Sequence, residues 1–334
     1  MKAMVINNFG GPEVFEEANL PTPYAGDGEV VIKIKASSVN PVDYKIRAGR
    51  IPFLAPSHPT ILHSDAAGTI TEVGAGVVGF SVGDSVMSFA TGLAGKPGAL
   101  AQYMAADARM IAKMPGNVSF EEAAALPLVG VTSWYDIIEE GDAGPNKSIL
   151  IMGGTGGVGH VALQLAKWKG AFVAAAVGSD EKALIARGLG ADAVINYKTA
   201  SNEDYASLAP GGLGFDLVFN TPGAPSVNQA VHAAKFGGTI IDILGEFPTE
   251  GSFQMKWLSF KSTFAGHEIV FGSNPSRVGE ILNELSKLVE AGVIKPLVDA
   301  KRFTFTDVGA AHTHAEMGSP TGKVVLTQNL TDGQ

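Results

Sequence analysis

The chain has 334 residues and a formal net charge of −9. This length suits two domains better than one compact core. An acidic balance without a Lys/Arg-rich patch argues against a nucleic-acid partner. The sequence contains no cysteine, which excludes disulfides, thiolate metal ligands and a cysteine nucleophile, and is consistent with a reducing compartment.

The amino-terminal stretch MKAMVINNFGGPEVF has one Lys and lacks the apolar core of a signal peptide. No apolar run is as long as a bilayer-spanning helix. We therefore expect a soluble, cytoplasmic protein without a membrane partner.

Residues 1–124 have a β-like texture. Short apolar or alternating segments such as VVIKI and TITEV are separated by Gly, Pro and Asp, and long helical periodicity is missing. This pattern predicts a β-rich domain.

Residues 125–266 alternate between apolar strand candidates and helical patterns, which favours a parallel sheet built from βαβ units. Continuous apolar character predicts that the strands are buried. The predicted strands span residues 148–152, 172–177, 193–196, 215–220, 238–244 and 262–266.

After residue 267, apolar residues at helical spacing predict a helix over 276–291, followed by the β-like segments KRFTF and GKVVLTQ. The carboxyl terminus is therefore expected to complete the first domain. The predicted fold is α/β, with a discontinuous β-rich domain at 1–124 and 267–334 and a doubly wound parallel domain at 125–266.

The stretch SILIMGGTGGVGHVALQLAKW, residues 148–168, places a glycine motif between a predicted strand and a predicted helix. Gly154, Gly156 and Gly159 fit G-x-G-x-x-G in the context of a dinucleotide site, where free amides at a helix start bind the pyrophosphate. The alternative is an ordinary tight turn. The predicted loop comprises Gly154, Thr155, Gly156, Gly157, Val158 and Gly159.

The end of the second strand decides between NAD and NADP, because a carboxylate there binds the ribose 2′-hydroxyl of NAD. The strand FVAAAV runs into Gly178-Ser179 without a carboxylate, which favours NADP(H). Lys182 and Tyr197 could reach a 2′-phosphate, although each could instead be an ordinary helix charge or packing residue. Asp180 is expected to be the N-cap of the next helix; a shifted strand end would make it a ribose acceptor.

Several segments together resemble the medium-chain dehydrogenase/reductase superfamily, specifically its zinc-independent quinone oxidoreductase branch. They are NPVDYKIRAG, ILHSDAAGTITEVG, GFSVGDSV, AAALPLVGVTSW, the glycine loop with QLAKWKGA, LGADAVINY and GKVVL. The resemblance implies a GroES-like domain around a Rossmann domain, with the active site in the cleft between them. It also implies a homodimer joined through Rossmann edge strands, for which residues 262–266 are the candidate.

The chain departs from the zinc enzymes of this superfamily. They carry a Cys in the segment corresponding to NPVD and Gly-His-Glu where this chain has His63-Ser64-Asp65. Catalytic zinc needs three protein ligands, so we expect no metal. His63 is expected to be a buried, hydrogen-bonded or cleft-wall residue, and His312 and His314 to be packing or surface residues on different helix faces.

Without zinc, reduction of an electron-poor acceptor such as a quinone or enone remains feasible, with hydride from NADPH. The resemblance implies that Asn40 and Asp43 lie near the nicotinamide and that Thr132 approaches the same ring. Asn40 could bind a carboxamide or substrate oxygen, or could simply form an Asx turn before Pro41. Tyr44 could donate a proton or stack.

Three further residues follow predicted strands, at the edge where open α/β sheets bind ligands. They are Thr221, Leu244 and Gly245, and they are predicted to border the cofactor, although Gly245 could be an ordinary turn glycine. The leading hypothesis is an NADPH-dependent quinone reductase. The alternatives are an NADPH-dependent enone or alkenal reductase, and an NADPH-binding structural or RNA-binding protein without important catalysis.

Overall fold

A computed structural model describes residues 1–249, 251–318 and 320–331. Its strands are β1 Lys2–Ile6, β2 Phe15–Asn19, β3 Glu29–Ser38, β4 Asp65–Val73, β5 Ser85–Phe89, β6 Tyr103–Asp107, β7 Ile111–Lys113, β8 Ser148–Met152, β9 Phe172–Val177, β10 Ala193–Asn196, β11 Phe215–Asn220, β12 Ala234–Asp242, β13 Ser259–Ser262, β14 Phe303–Thr304 and β15 Val325–Thr327.

The α-helices are α1 Pro41–Arg47, α2 Phe120–Ala124, α3 Pro127–Ser133, α4 Gly157–Trp168, α5 Asp180–Gly188, α6 Asn202–Ser207, α7 Val227–Ala233, α8 Ser252–Met255, α9 His267–Phe271, α10 Pro275–Glu290 and α11 Val308–Glu316. A π-helical segment, Trp134–Glu139, continues α3. Within the described ranges, no helix is both long and apolar enough to cross a membrane.

The chain divides into two compact units. Unit 1 comprises Met1–Leu128, Gly266–Gly292 and Pro296–Gln334, and unit 2 comprises Val129–Ala265 with Val293–Lys295. The sequence prediction places the divisions at 124/125 and 266/267, a few residues from these limits, and does not include the short return of the chain at Val293–Lys295.

Unit 2 is built on a parallel sheet with the order β10-β9-β8-β11-β12-β13. Its central strand β8 is buried along its full length, as expected for a strand covered on both faces. Side chains Val161, Ala162, Leu165 and Ala166 of α4 are all excluded from solvent, so one apolar face of this helix is buried. The predicted doubly wound α/β architecture is therefore correct.

The bounds predicted for β8, β9, β10 and β11 agree with the structure, whereas those for β12 and β13 do not. β12 begins earlier than predicted because Ala234 already pairs with Phe215 across a bulge. β13 covers Ser259–Ser262 instead of 262–266, since its partner strand β12 ends at Asp242, opposite Ser262. The apolar run after Ser262 suggested a strand where there is no neighbouring strand to continue the pairing.

Unit 1 contains a mainly antiparallel sheet with the order β14-β15-β3-β4-β5-β7; β6 also pairs with β3. The carboxyl-terminal strands β14 and β15 belong to this sheet, as the return of β-like texture predicts. The helix predicted over 276–291 is α10, and its apolar face is buried through Val278, Ile281, Leu282 and Leu285.

Candidate functional site

The glycine loop lies between the end of β8 and the start of α4 in unit 2. Gly153 has a φ of +75°, a left-handed conformation that favours glycine. Gly156 is the N-cap of α4 and has no side chain to cap the helix. The turn glycine is therefore Gly153, one residue before the motif predicted to begin at Gly154.

Two other glycines of the loop allow close packing. A Cβ on Gly154 would come within 2.7 Å of the Cβ of Ala175 on β9. A Cβ on Gly159 would overlap the carbonyl oxygen of Gly153 and lie 2.8 Å from its carbonyl carbon. The first turn of α4 can therefore lie directly on the loop only because Gly159 has no side chain.

Two backbone amides of this loop are hydrogen-bonded: that of Gly154 donates to the Ala176 carbonyl at 3.1 Å, and that of Gly156 donates to the Gly153 carbonyl at 2.9 Å. Among the described residues, no acceptor is found for the amides of Thr155, Gly157, Val158 or Gly159. Unpaired amides at a helix N-terminus carry partial positive charge and bind phosphate. The loop therefore fits the pyrophosphate of a dinucleotide.

The second strand, β9, ends at Val177 and is followed by Gly178. A Cβ on Gly178 would overlap the hydroxyl of Tyr197, so the tyrosine lies directly on this turn. Lys182 lies in the first turn of α5. Gly178, Ser179, Lys182 and Tyr197 thus lie in one region of the structure. Gly178 and Ser179, which follow the end of β9, carry no carboxylate.

The expectation that Asp180 caps α5 is wrong. Ser179 has extended backbone angles, and its hydroxyl oxygen accepts a hydrogen bond from the Lys182 amide at 3.2 Å. Asp180 is instead the first helical residue, where its charge is favourable with respect to the helix dipole.

The carboxyl ends of β8, β11 and β12 bring the other predicted cofactor neighbours to the same edge of the sheet. The Thr221 hydroxyl donates to the carbonyl of Met152, the last residue of β8, at 2.7 Å. Leu244 follows β12, and its side chain packs against Gly223. Gly245 has a φ of +78°, which explains glycine there without reference to a ligand.

Unit 1 contains a buried polar network centred on Asp65, at the start of β4. Its Oδ2 accepts hydrogen bonds from Ser38 Oγ at 2.6 Å and Asn40 Nδ2 at 2.8 Å. Its Oδ1 accepts from the amide of Leu128 at 2.7 Å. The carboxylate is completely buried, yet both of its oxygens are satisfied.

Lys323 supplies the positive charge of this network. Its Nζ lies 3.2 Å from Asp65 Oδ2 and donates to Asn40 Oδ1 at 2.5 Å and to the carbonyl of Val39 at 2.9 Å. Because Lys323 and Asp65 hold both ends of the Asn40 amide, its orientation is fixed. The Asn40 side chain is therefore engaged with side chains distant in sequence, and Asn40 is also the N-cap of α1, where it forms a capping box with Asp43.

Asp43, in the first turn of α1, is buried in the same region. Its Oδ2 accepts a hydrogen bond from the backbone N–H of Asn40 at 2.7 Å, whereas its Oδ1 has no partner in the described part of the chain. Burial raises the pKa of Asp43 to about 7, against the lowering effects of the Asn40 amide and the Lys323 charge. The side chain can therefore carry a proton near neutral pH.

Tyr44, the next residue of α1, is half-buried. Burial raises the pKa of its hydroxyl, and the negative charges of Glu316 and Asp43 add to this effect. The phenol therefore keeps its proton at neutral pH, which a proton donor requires.

His63 lies between the two buried carboxylates in sequence and is itself completely buried. Its Nδ1 is 3.1 Å from Ser37 Oγ, and its Nε2 is 3.0 Å from Nε2 of His312. Burial lowers the pKa of His63 well below its ordinary value and that of His312 to about 3. His314 bonds Asp299 instead, so the prediction that the two helix histidines face different ways is confirmed.

The residues around Asp65 do not fit a zinc ion. Both carboxylate oxygens of Asp65 are occupied by protein donors, and the ammonium of Lys323 would repel a nearby cation. Ser64 stands at the position of the histidine ligand. Over residues 1–249, 251–318 and 320–331, no three His, Asp or Glu side chains are grouped as metal ligands.

Thr132 belongs to α3 of unit 2 and is almost completely buried. One turn later, in the π-helical segment, lies Asp136, whose carboxylate is wholly buried. Neither of its oxygens reaches a hydrogen-bond donor among the described residues. Burial raises the pKa of Asp136 to about 7, opposed by the nearby Thr263 hydroxyl and reinforced by Glu140.

Comparison with known families agrees with these features. Residues 26–116 match the alcohol dehydrogenase GroES-like domain, and residues 189–326 match the zinc-binding dehydrogenase family. The chain is 35% identical over 98% of its length to 2-methylene-furan-3-one reductase of Solanum lycopersicum and to an NADPH-dependent alkenal/one oxidoreductase of Arabidopsis thaliana, covering 79% of each. It is 32% identical to the chloroplast envelope quinone oxidoreductase homolog of Arabidopsis thaliana, covering 98% of both.

Solved structures show the same likeness. An alcohol dehydrogenase superfamily protein from Novosphingobium aromaticivorans has a TM-score of 0.91 at 33% identity, covering 98% of this chain and 99% of that one. The quinone oxidoreductase of Escherichia coli, solved with NADPH, has a TM-score of 0.84 at 27% identity and covers 98% and 100%. The fold and the loop thus define an oxidoreductase with a GroES-like domain and a Rossmann domain. The chain belongs to the medium-chain dehydrogenase/reductase superfamily, in its quinone oxidoreductase branch.

Sequence reasoning overlooked the pairing of Asp65 with Lys323 and the contact between His63 and His312. The first pair has a signal in the sequence: Asp65 and Lys323 each stand beside an apolar strand. Charged residues in such positions are rarely buried unless they are paired. No local pattern connects the two histidines, which are 249 residues apart.

Proposed function

We propose that the chain is a zinc-independent, NADPH-dependent reductase that transfers hydride to a small quinone. The observation that carries this proposal is the glycine loop, with four unpaired amides beside a strand tip that lacks a carboxylate. A carboxylate at that tip would repel a 2′-phosphate, whereas Gly178 and Ser179 leave room for it. The relatives named for NADPH support the same cofactor.

Each group of residues has its own part in this proposal. The loop of Thr155–Gly159 would hold the pyrophosphate, and Lys182 and Tyr197 would bind the 2′-phosphate. When bound, NADPH supplies a hydride from its nicotinamide. A quinone that accepts this hydride and one proton becomes a hydroquinone. Tyr44 is the proposed proton donor, because its half-buried phenol follows Asp43 on α1 and carries a proton at neutral pH.

Asn40, Asp43 and Thr132 remain candidates for residues near the nicotinamide. Asn40 is held by Lys323 and Asp65 in one orientation, which leaves one hydrogen of its amide for a ligand. The buried network would position that amide before substrate arrives, at little further entropic cost.

A second candidate activity is the reduction of an enone or alkenal by the same cofactor. Two of the relatives reported above are named for such substrates. Both acceptors are electron-poor and develop negative charge on oxygen after hydride addition, so the same hydrogen-bond donors would serve either. A binding protein without catalysis is not favoured, because the relatives are named as reductases and oxidoreductases.

The deciding experiment measures NADPH oxidation with matched quinones and enones of similar size. We expect the quinones to give the larger kcat/KM, and enones that exceed every quinone would replace the first activity by the second. Gly159→Ala should abolish turnover, because the added methyl group would overlap the Gly153 carbonyl and displace the loop from α4, whereas Gly188→Ala, at a position with open space around it, should leave turnover unchanged.

We also propose a homodimer joined through β13. This strand forms one edge of the unit 2 sheet, and an exposed edge readily pairs with another strand. Near it in sequence, Met255 and Trp257 are about four-fifths exposed, and Phe236 packs edge-on against Trp257. Light scattering should give a dimeric mass that becomes monomeric with Trp257→Lys; a monomeric wild type would contradict the proposal.

A cytoplasmic location is likewise proposed, supported by the absence of cysteine. Cell fractionation tests it, and recovery with an organelle would contradict it.

A further inference from the structure

Asp242, the last residue of β12, is completely buried at the edge of the sheet that carries the glycine loop. Its Oδ1 accepts hydrogen bonds from two backbone amides of the following loop, those of Leu244 at 2.8 Å and Glu246 at 3.1 Å. Its Oδ2 accepts from Asn220 Nδ2 at 2.7 Å. One carboxylate therefore determines the course of residues 243–246.

Asn220 extends this network to the neighbouring strand β11. Its Nδ2 also donates to the carbonyl of Gly223 at 3.1 Å, and its Oδ1 accepts from Ser226 Oγ at 2.6 Å. Both hydrogens of the side-chain amide are donated, and its oxygen accepts one hydrogen bond. Since Leu244 packs against Gly223, the loops after β11 and β12 are held to each other by both polar and apolar contacts.

The next residue, Thr221, connects these loops to the glycine loop through its hydrogen bond to Met152 at 2.7 Å. A Cβ on Gly153 would lie 2.7 Å from the same hydroxyl oxygen. The path from Asp242 through Asn220 and Thr221 therefore ends at the turn that precedes the phosphate cradle.

We infer that Asp242 is a positioning residue for the dinucleotide, holding residues 243–246 in the arrangement that borders the bound cofactor. This inference rests on the proposed function. The negative charge and the acceptor-only character of the carboxylate are both needed, because all three of its partners are N–H donors.

The test is Asp242→Asn, which keeps the shape of the side chain and replaces one acceptor by a donor. That donor must face Asn220 Nδ2 or a loop amide, so at least one hydrogen bond is lost. We expect the Kd for NADPH, measured by fluorescence titration, to rise about tenfold, the change that corresponds to one such bond. The kcat at saturating NADPH should change much less.

Asp216 provides a matched control at the opposite end of the same sheet. Its Oδ2 accepts from the Ser148 amide at 2.8 Å and from Ser148 Oγ at 2.7 Å, and its Oδ1 pairs with Lys235. Asp216→Asn should lower the thermal midpoint as Asp242→Asn does, yet leave the Kd for NADPH within about twofold of the wild-type value. Equal Kd changes in the two variants would overturn the inference.

A milder pair of variants decides the question if Asp242→Asn does not fold. Ser226→Ala loosens Asn220 without removing the carboxylate and should raise the Kd about threefold. Ser148→Ala, its control at the other end of the sheet, should leave the Kd unchanged, and equal effects would overturn the inference. A wild-type protein that does not bind NADPH would reject the proposed function and the inference together.

Discussion

His312 donates a hydrogen bond to His63 between their Nε2 atoms, 3.0 Å apart. The direction follows from Ser37, whose single hydroxyl hydrogen goes to the carbonyl of Asp65 at 2.6 Å. Nδ1 of His63 must therefore carry the hydrogen that it shares with Ser37, which leaves its Nε2 as an acceptor. Both rings are neutral, in agreement with the lowered pKa values of the pair.

The backbone of His63 explains why a histidine is unusual at this position. Its φ is +74°, a left-handed conformation that favours glycine, the residue that the superfamily usually has there. We expect His63→Ala to lower the free energy of unfolding more than His63→Gly, by about 1 kcal/mol, because alanine keeps the strain and glycine removes it.

Urea denaturation of the two variants measures this difference directly. Both lose the hydrogen bonds to Ser37 and His312, so each should be less stable than the wild type by about 2 kcal/mol or more. An alanine variant as stable as the glycine variant would show that the backbone at residue 63 is unstrained.

Asp136 should make unit 2 less stable as the pH rises. Its pKa is about 7 in the folded chain and 3.8 ordinarily, so between these values the folded state holds a proton that the unfolded state releases. Its stabilising contribution is complete below about pH 4 and is lost as the pH rises through about 7. Asp136→Asn, which cannot ionise, should be more stable than the wild type at pH 8, by about 1–3 kcal/mol.

Thermal or urea unfolding from pH 4 to pH 8 tests this expectation. The difference between Asp136→Asn and the wild type should grow with pH and level off above about 7. Asp43 has the same direction of shift and is present in both proteins, so it cancels in the comparison. Glu181→Gln, at an exposed carboxylate of α5 in the same unit, is the control. Parallel curves for wild type and Asp136→Asn would contradict the raised pKa.

Much of the Rossmann domain could be predicted because its signals are local. The strands β8, β9, β10 and β11 are continuous apolar runs, and the glycine loop has its motif within six residues. The end of β13 could not be predicted, since it depends on where β12 stops. The Asp65–Lys323 pair joins residues 258 positions apart, and no sequence periodicity extends that far. A buried charge in one strand predicts that an opposite charge lies nearby, but the sequence does not indicate which strand carries that charge.

Removal of the Lys323 charge should destabilise unit 1 strongly. Lys323→Met leaves the buried Asp65 carboxylate without its counter-charge, which costs about 3–5 kcal/mol in comparable buried pairs. Lys113→Met is the matched control, because Lys113 pairs with Asp84 at the surface of the same unit, where solvent screens the pair and its loss should change stability little.

Urea denaturation measures the free energy of unfolding of Lys323→Met, of Lys113→Met and of the double variant Lys323→Met with Asp65→Asn. The double variant should recover part of the loss, since it no longer buries an uncompensated charge. Equal effects of Lys323→Met and Lys113→Met would mean that the buried pair does not differ from a surface one.

Lys182 should discriminate between the two nicotinamide cofactors. It lies in the first turn of α5, immediately after the strand tip formed by Gly178 and Ser179. Lys182→Ala should raise the KM for NADPH about tenfold or more through loss of a charged contact to the 2′-phosphate, and should leave the KM for NADH nearly unchanged. The control is Lys169→Ala. Lys169 is the C-cap of α4, at the end of that helix far from the glycine loop, so loss of its charge should change neither KM. An equal rise for NADPH and NADH in Lys182→Ala would show that the 2′-phosphate is bound elsewhere in unit 2.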